Sequence, residues 1–336
     1  MPEILITGAT GLVGMHVAFD LTAAGHAVRL LCRPGSNKAM LEKVFAFYTP
    51  DYKKQLALIE WFEGDILDIY SLEDAMEGIR DVYHAAALVS FVPADKDRML
   101  QSNIEGTANI MNAAMYCGVR KVCHVSSIAA LGKRDDGGLI DEEVYWKNAP
   151  SNSWYAISKY GGEREAWRAA EEGLNVVIVN PGFIIGPGDS TRSSLALFGT
   201  VKNGMNWYTP GITGYVDVRD VSAAMIGLMQ GDVNNQRFIM SAENLDYRTV
   251  INAMNNVFGK KPAAKKLSPF LGGIAWRAEK LLAALAGRTP RITRETAAAA
   301  QEQNRFSGEK IKKALAGFSY RPIAAAISDA GRFYNT

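Results

Sequence analysis

Cysteine is scarce: Cys32, Cys117 and Cys123 are three in 336 residues, odd in number and set in apolar runs. They read as reduced core thiols, which excludes a disulfide framework and fits a cytoplasmic protein. Histidine is scarcer for its uses. His16, His26, His84 and His124 show no metal-ligand spacing, so no metal site is expected, and His84 and His124 read as satisfied groups at strand ends. Charge of one sign is also lacking. The 37 Lys and Arg against 35 Asp and Glu leave a net +2, too little to call for a nucleic-acid partner. No apolar run is long enough to span a bilayer; the best candidate, Phe270 to Ala286, is broken by Arg277, Glu279 and Lys280. There is no internal repeat and no nucleophile triad. The chain enters a strand at Glu3–Ile6, so no signal or transit peptide is expected. What remains, 48% hydrophobic and 21% charged, is the balance of a globular protein with room for one large α/β domain and an added lobe, or for two domains.

Short apolar runs alternate with helical patterns. Glu3–Ile6, Ala27–Cys32, Ile59–Glu63, Asp81–His84, Lys121–Ser126 and Asn175–Val179 read as strands; Leu12–Ala24, Met99–Cys117 and Tyr155–Glu172 read as helices. Runs rich in Val and Ile without polar alternation suit strands buried on both faces, as in a parallel sheet built from right-handed βαβ units. The predicted fold is α/β: a Rossmann-type doubly wound parallel sheet with an interleaved, smaller, mainly helical substrate lobe. The expected division is 1–180, completed by about 214–240, for the cofactor domain, and 181–213 with 241–336 for the lobe. The segment Pro181–Pro210 reads as loop-rich.

The stretch Ile4-Leu5-Ile6-Thr7-Gly8-Ala9-Thr10-Gly11-Leu12-Val13-Gly14 is a strand, a glycine turn and a helix start. Gly8 permits the sharp turn, Gly11 a close backbone approach to a pyrophosphate, and Gly14 tight packing of helix on strand. Free amides at the helix start favour an anion, so Gly8, Thr10, Gly11, Leu12, Val13 and Gly14 are assigned to a dinucleotide. An NAD-selective site wants an acid at the end of the next strand. Arg33 stands there instead, with Ser36 and Lys38 behind it. A guanidinium suits a 2′-phosphate, which favours NADP(H) and leaves NAD(H) possible; the bland alternative is a solvated strand end. Asp65, followed by Ile66, is placed to meet the adenine amino group.

Of thirteen tyrosines, only Tyr155 has a lysine four residues on, Lys159. That spacing puts both on one helical face, where an ammonium lowers the phenol's pKa toward neutrality. Upstream, His124-Val125-Ser126-Ser127 ends a strand with a hydroxyl able to hold a carbonyl.

With these pieces go Asp81-Val82-Tyr83-His84-Ala85-Ala86-Ala87, Asn103-Ile104-Glu105-Gly106-Thr107, Asn180-Pro181-Gly182 and Asp217-Val218-Arg219-Asp220-Val221. Together they resemble the extended short-chain dehydrogenase/reductase family over nearly the whole chain, most closely its dihydroflavonol-reductase and 3β-hydroxysteroid-dehydrogenase branch. The resemblance implies Tyr155 as general acid/base, Lys159 as its pKa partner and a ribose ligand, Ser127 as carbonyl clamp and Asn103 in support. It implies Ala85, Ala86, Ala87 and Pro181 along the cofactor. Two departures bear on substrate. Family dehydratases carry an acid pair where Ile128-Ala129-Ala130 follows Ser127. Sugar-nucleotide epimerases usually carry an Asn at Phe183 and an Arg near Thr213. Both absences argue against a sugar nucleotide.

The expected activity is hydride transfer between NADP(H) and a ketone or secondary alcohol. The expected small-molecule substrate is apolar and ring-bearing, given Val89, Phe91, Phe183, Ile184, Trp207 and Tyr208 near the mouth, with Leu88 beside them. Rival readings are an epimerase of the same fold and a non-catalytic NADP-sensing protein. Met99–Cys117 and Tyr155–Glu172 read as helices with apolar faces, and the resemblance implies a homodimer paired through them. The clusters Lys260-Lys261, Lys265-Lys266 and Arg288/Arg291/Arg294 read as solvated helix ends, or as a surface for an anionic tail or membrane. The apolar stripe from Phe270 to Leu285 reads equally as lobe packing or as a lid.

Overall fold

Every apolar run assigned to the parallel sheet forms a strand in the computed structural model, which describes residues 1–134, 136–286, 288–290 and 293–335. The seven strands are β1 (Ile4–Thr7), β2 (Val28–Cys32), β3 (Ile59–Glu63), β4 (Asp81–His84), β5 (Lys121–Val125), β7 (Asn175–Pro181) and β11 (Gln236–Met240). All pair parallel, in the order β11-β7-β5-β4-β1-β2-β3. Three small sheets complete the set. They are β8 (Phe183–Ile185) with β10 (Ile212–Asp217) and β12 (Glu243–Asp246), β6 (Leu139–Ile140) with β14 (Arg305–Phe306), and β9 (Trp207–Tyr208) with β13 (Lys265–Lys266).

The helices are α1 (Leu12–Ala23), α2 (Ala39–Tyr48), α3 (Tyr52–Leu56), α4 (Ile69–Met76), α5 (Lys96–Leu100), α6 (Gly106–Tyr116), α7 (Trp154–Glu171) and α8 (Ala196–Lys202). They continue as α9 (Val218–Gln230), α10 (Tyr247–Val257), α11 (Pro269–Leu285), α12 (Arg294–Ala299), α13 (Glu309–Ala314) and α14 (Ile323–Asn335).

The strand period of two explains the layers. Ile6, Leu30, Tyr83, Cys123, Val177 and Val179 point to one face and join α1, α2 and α9 in one core. Their neighbours Leu5, Leu31, Val82, Val122, Val176 and Ile178 point to the other and join α4, α6 and α7. A third core, with Phe198, Tyr215, Met254 and Ile327, lies among α8, α10 and α14. The chain's strand order reverses between β1 and β4, so a crevice opens at their carboxyl ends, where an open parallel sheet takes its ligand.

Two expectations need correction. Met99–Cys117 is not one regular helix: a π-turn, Gln101–Glu105, separates α5 from α6. Within it, the Asn103 side chain bonds Leu88 and its carbonyl accepts the Thr107 hydroxyl. The segment Pro181–Pro210 is not simply loop: it holds β8, α8 and β9, and Phe183, Ile185, Phe198, Val201 and Tyr208 pack into the third core. Arg291 lies outside the described residues.

Candidate functional site

Gly8 turns the chain at φ +71°, and a Cβ there would sit 2.6 Å from the Ala85 and Ala86 backbone, so β1 and β4 can end side by side only with glycine. A Cβ on Gly14 would come within 2.4 Å of the Gly8 carbonyl, so the α1 start packs directly on the turn. Gly11, exposed, precedes α1 without any side-chain cap, and no acid stands in the first turn. The result is a small backbone cradle with open helical amides, which fits a pyrophosphate. Leu12 and Val13 behind it pack inward, and Thr10 lies half-buried in the turn. Ala85 and Ala86 are half-buried, with Ala87 exposed; Thr7 holds them by accepting the Ala86 amide at 3.2 Å.

Ser127 follows β5, and Tyr155 opens α7, capped by Ser153. The Ser127 hydroxyl lies close enough to the Tyr155 phenol to favour its anion, and the Ser127 oxygen accepts the Ala129 amide at 3.1 Å. One turn on, Lys159 is 4% exposed and donates to the Val125 carbonyl at 2.7 Å. Burial depresses its pKa to about 8, and the charge of Glu163 opposes that shift. The expected lowering of the Tyr155 pKa is not found. Burial raises it above the ordinary tyrosine value, with only the nearby Ser127 hydroxyl working against the rise. The Lys159 ammonium is held by a backbone carbonyl instead.

Asn103 is spent within the fold. It donates to the Leu88 carbonyl and Ser158 hydroxyl, both at 2.9 Å, and accepts the Leu88 amide at 2.7 Å. It ties the loop after β4 to α7. Arg33, beyond β2, is exposed, and an acid stands one strand over, Glu63 in register with Cys32. Lys38 lies over the Trp61 ring at 4.6 Å. Asp65 accepts the Leu67 amide at 3.0 Å, closing its own turn, and Ile66 packs into the α4/α6 layer. Pro181 is buried at the end of β7.

Of the residues expected at the mouth, Phe91 meets Tyr155, ring to ring at 5.4 Å. Val89 is half-buried in the same loop. Phe183 instead packs on Tyr215, Ile184 enters the α1/α9 core, and Tyr208 joins the third core with Arg248 over its ring. Trp207 is exposed under Lys265.

Sequence reasoning missed the support beneath Ser127. Buried Glu163 accepts the Ser126 hydroxyl at 2.6 Å and the Asn180 amide at 2.7 Å, and Asn180 also donates to the Ser127 carbonyl at 3.0 Å. Arg237 pairs with Glu163 at 3.1 Å. The available signal was a carboxylate four residues past Lys159 on a face otherwise apolar. The two histidines differ. His84 bonds Thr7 and Thr107, whereas neither ring nitrogen of buried His124 has a partner, a correction to the expectation that both are satisfied.

The sequence matches the model of the NAD dependent epimerase/dehydratase family over residues 4–240. The chain belongs to that family. Tetraketide alpha-pyrone reductase 2 of Arabidopsis thaliana is 31% identical over 80% of this chain and 86% of its own. Sterol demethylase protein B of Methylococcus capsulatus is 28% identical over 97% and 96%. A solved structure described as that of gox2253 superposes with a TM-score of 0.81 at 31% identity, covering 100% of this chain and 98% of the other. The resemblance to extended short-chain dehydrogenases/reductases holds, and the chain is an NAD(P)-dependent oxidoreductase. Among the described residues, no helix is long and apolar enough to cross a membrane.

Proposed function

We propose that the chain is an NADP(H)-preferring reductase or dehydrogenase acting on a ketone or secondary alcohol of an apolar, ring-bearing substrate. The observation that carries this reading is the buried Lys159 one turn beyond Tyr155 on α7, tied to the end of β5 where Ser127 stands near the phenol, with the glycine cradle two strands over. When bound, the nicotinamide supplies or accepts a hydride at the carbonyl carbon. Tyr155 carries the proton to or from the carbonyl oxygen. Burial raises the phenol's pKa, and in the reducing direction the phenol is the proton donor. Ser127 donates to the same oxygen as charge develops there. Lys159 has three N–H groups, one of them committed to Val125, leaving two for the phenolate and a ribose hydroxyl. Asn103 acts as a positioning residue through Leu88 and Ser158. Arg33 is free in space to meet a 2′-phosphate, and Phe91 and Val89 offer an apolar wall beside Tyr155.

The same proposal assigns residues 1–180 and 214–240 to the cofactor and the remainder to the substrate lobe. It includes a homodimer, for which a monomer mass at micromolar concentration is the contrary result. The deciding experiment is a screen of ketones and alcohols followed at the NADPH absorbance band. Stoichiometric consumption of NADPH supports the reductase. Conversion without net consumption supports an epimerase, and binding without conversion of any ketone supports a sensor. Phe183, packed on Tyr215 where the epimerases place an Asn, weighs against the epimerase.

A further inference from the structure

α11 is turned inside out. At 3.6 residues per turn, Phe270, Leu281, Ile274, Leu285, Leu271 and Leu282 fall on one continuous arc of about 120°. That arc faces outward: the six side chains are between 41% and 77% exposed. They are six of the fourteen large apolar side chains exposed among the described residues. The inward arc is made of small or half-buried residues, Gly272, Ala275, Trp276, Glu279 and Ala283. A lid or a packing helix needs the reverse arrangement. An apolar face this size, left to water, marks an interaction surface.

The charge around the face identifies what covers it. Residues 260–294 hold nine Lys and Arg against one acid, Glu279, a net +8; the whole chain is +2, so the remaining 301 residues carry −6. Lys260, Lys261, Lys266, Arg277, Lys280 and Arg294 are exposed. The one acid is neutralised, since Glu279 pairs with Arg288 at 2.6 Å. Arg277 and Lys280 flank the apolar arc on one side. Seventeen residues span about 25 Å, short of a hydrocarbon core of about 30 Å, and the helix is not among those able to cross a bilayer. An apolar arc with a basic border on a helix too short to cross is the pattern of an interfacial helix.

We propose that α11 docks the enzyme reversibly on an anionic lipid bilayer, lying in the plane of the surface with Phe270, Ile274, Leu281 and Leu285 in the acyl boundary. The anchor is coupled to the catalytic helix. α11 packs on α12, whose Glu295 accepts the amide of Trp154, the residue before Tyr155, at 3.5 Å. The proposal stands whatever carbonyl the site reduces, because its test reads binding and not turnover.

The experiment is co-sedimentation of the full chain with vesicles of phosphatidylcholine alone and of phosphatidylcholine with phosphatidylglycerol. The variants are Leu281→Glu with Leu285→Glu, and Arg277→Ala with Lys280→Ala. These side chains are exposed, so melting temperature and NADPH binding should stay at wild-type values and certify the fold. Wild type should partition onto the anionic vesicles and much less onto neutral ones. The double Glu variant should lose at least roughly tenfold in partition, having replaced apolar contact by like charge. The double Ala variant should lose on the order of fivefold per cation and show a shallower salt dependence than wild type. Absence of wild-type binding to anionic vesicles overturns the proposal, as does binding indifferent to the Glu substitutions. So does a wild-type dimer that the Glu variant splits without any vesicle binding, for the face then meets a second copy of the chain.

Discussion

The two ends of β5 each bury a lysine, and the lysines differ in what they leave unsatisfied. At the start of the strand, Lys121 is 1% exposed and donates to the carbonyls of Leu228 at 2.7 Å, Gly231 at 3.0 Å and Val233 at 2.7 Å. All three of its N–H groups are spent closing the end of α9, where helical carbonyls lack partners. At the other end, Lys159 meets only the Val125 carbonyl. The same contrast separates helix starts: Asp217 caps α9, Ser153 caps α7, and nothing caps α1. Burial depresses both lysine pKa values, so a shifted pKa does not tell the pair apart. Spare hydrogen-bonding capacity does: Lys121 has no N–H left over, whereas Lys159 keeps two.

The sharpest way to break this contrast is at the proton. Tyr155→Phe removes the hydroxyl and keeps the ring against Phe91. Turnover should fall by roughly 10²–10⁴-fold, the usual reach of general acid–base catalysis, with NADPH affinity nearly unchanged. Near-normal turnover of the true substrate would remove Tyr155 from the mechanism.

Next come the lysines themselves. Lys121→Met strands three carbonyls and should cost roughly 2–5 kcal/mol in a urea titration, with turnover per folded molecule intact. Lys159→Met should cost turnover, with a smaller stability loss at neutral pH. The two also differ in pH dependence. The Lys159 pKa is about 8 folded and 10.5 by ordinary reference, so between those values the unfolded chain holds the extra proton. Stability therefore rises with pH across that window, and wild type should gain on the order of 3 kcal/mol over Lys159→Met. A flat difference would place the ammonium in water.

How much of this was legible follows from the same distinction. The sheet was readable because its strands are apolar on both faces, and the glycine turn because Gly8 and Gly14 have no substitute at their contacts. Tyr155 and Lys159 stood out by their i,i+4 spacing taken together with the glycine turn and the serine-ended strand, and Ser127 was chosen over Ser126 only through the family resemblance. What stayed hidden depends on direction in space. Glu163, Asn180 and Arg237 come from α7, β7 and β11, and only folding joins them under Ser127. The π-turn at Gln101–Glu105 shows no break in its apolar pattern. Ile184 and Phe183 had the right composition for a substrate wall and turned into cores instead. The stripe on α11 was plain in sequence, yet its outward direction was not.

The cofactor's distal end gives a smaller effect. With Arg33 exposed and no acid at its own strand end, wild type should prefer NADP over NAD by about tenfold to a hundredfold, the value of one charged hydrogen bond of about 1.5–3 kcal/mol. Salt should shrink that ratio, since the pair sits in water. Arg33→Asp should reverse it. Titrating both cofactors into both proteins at two ionic strengths decides the point: equal affinities in wild type, or an unchanged ratio in the variant, would leave Arg33 a solvated strand end.

The smallest effect belongs to a helix start that is already complete. Asp246 caps α10, accepting the Thr249 amide at 2.9 Å and the Thr249 hydroxyl at 2.8 Å. Burial pushes its pKa up, but those hydrogen bonds outweigh it and the net direction is down. A carboxylate whose folded pKa lies below its unfolded value adds stability above the unfolded pKa and loses it as pH falls through the folded one. Asp246→Ala should therefore cost about 1 kcal/mol at neutral pH, the usual value of an N-cap, discounted because the site is partly open to water. The cost should fade under acid, where the wild-type carboxyl is itself protonated. Cofactor affinity should not move, because Asp246 serves α10 and not the open start of α1. Urea titrations of both proteins at neutral and acid pH, with NADPH binding measured alongside, test it. A loss of NADPH affinity in Asp246→Ala would mean that the cap of α10 and the open start of α1 are not independent of each other.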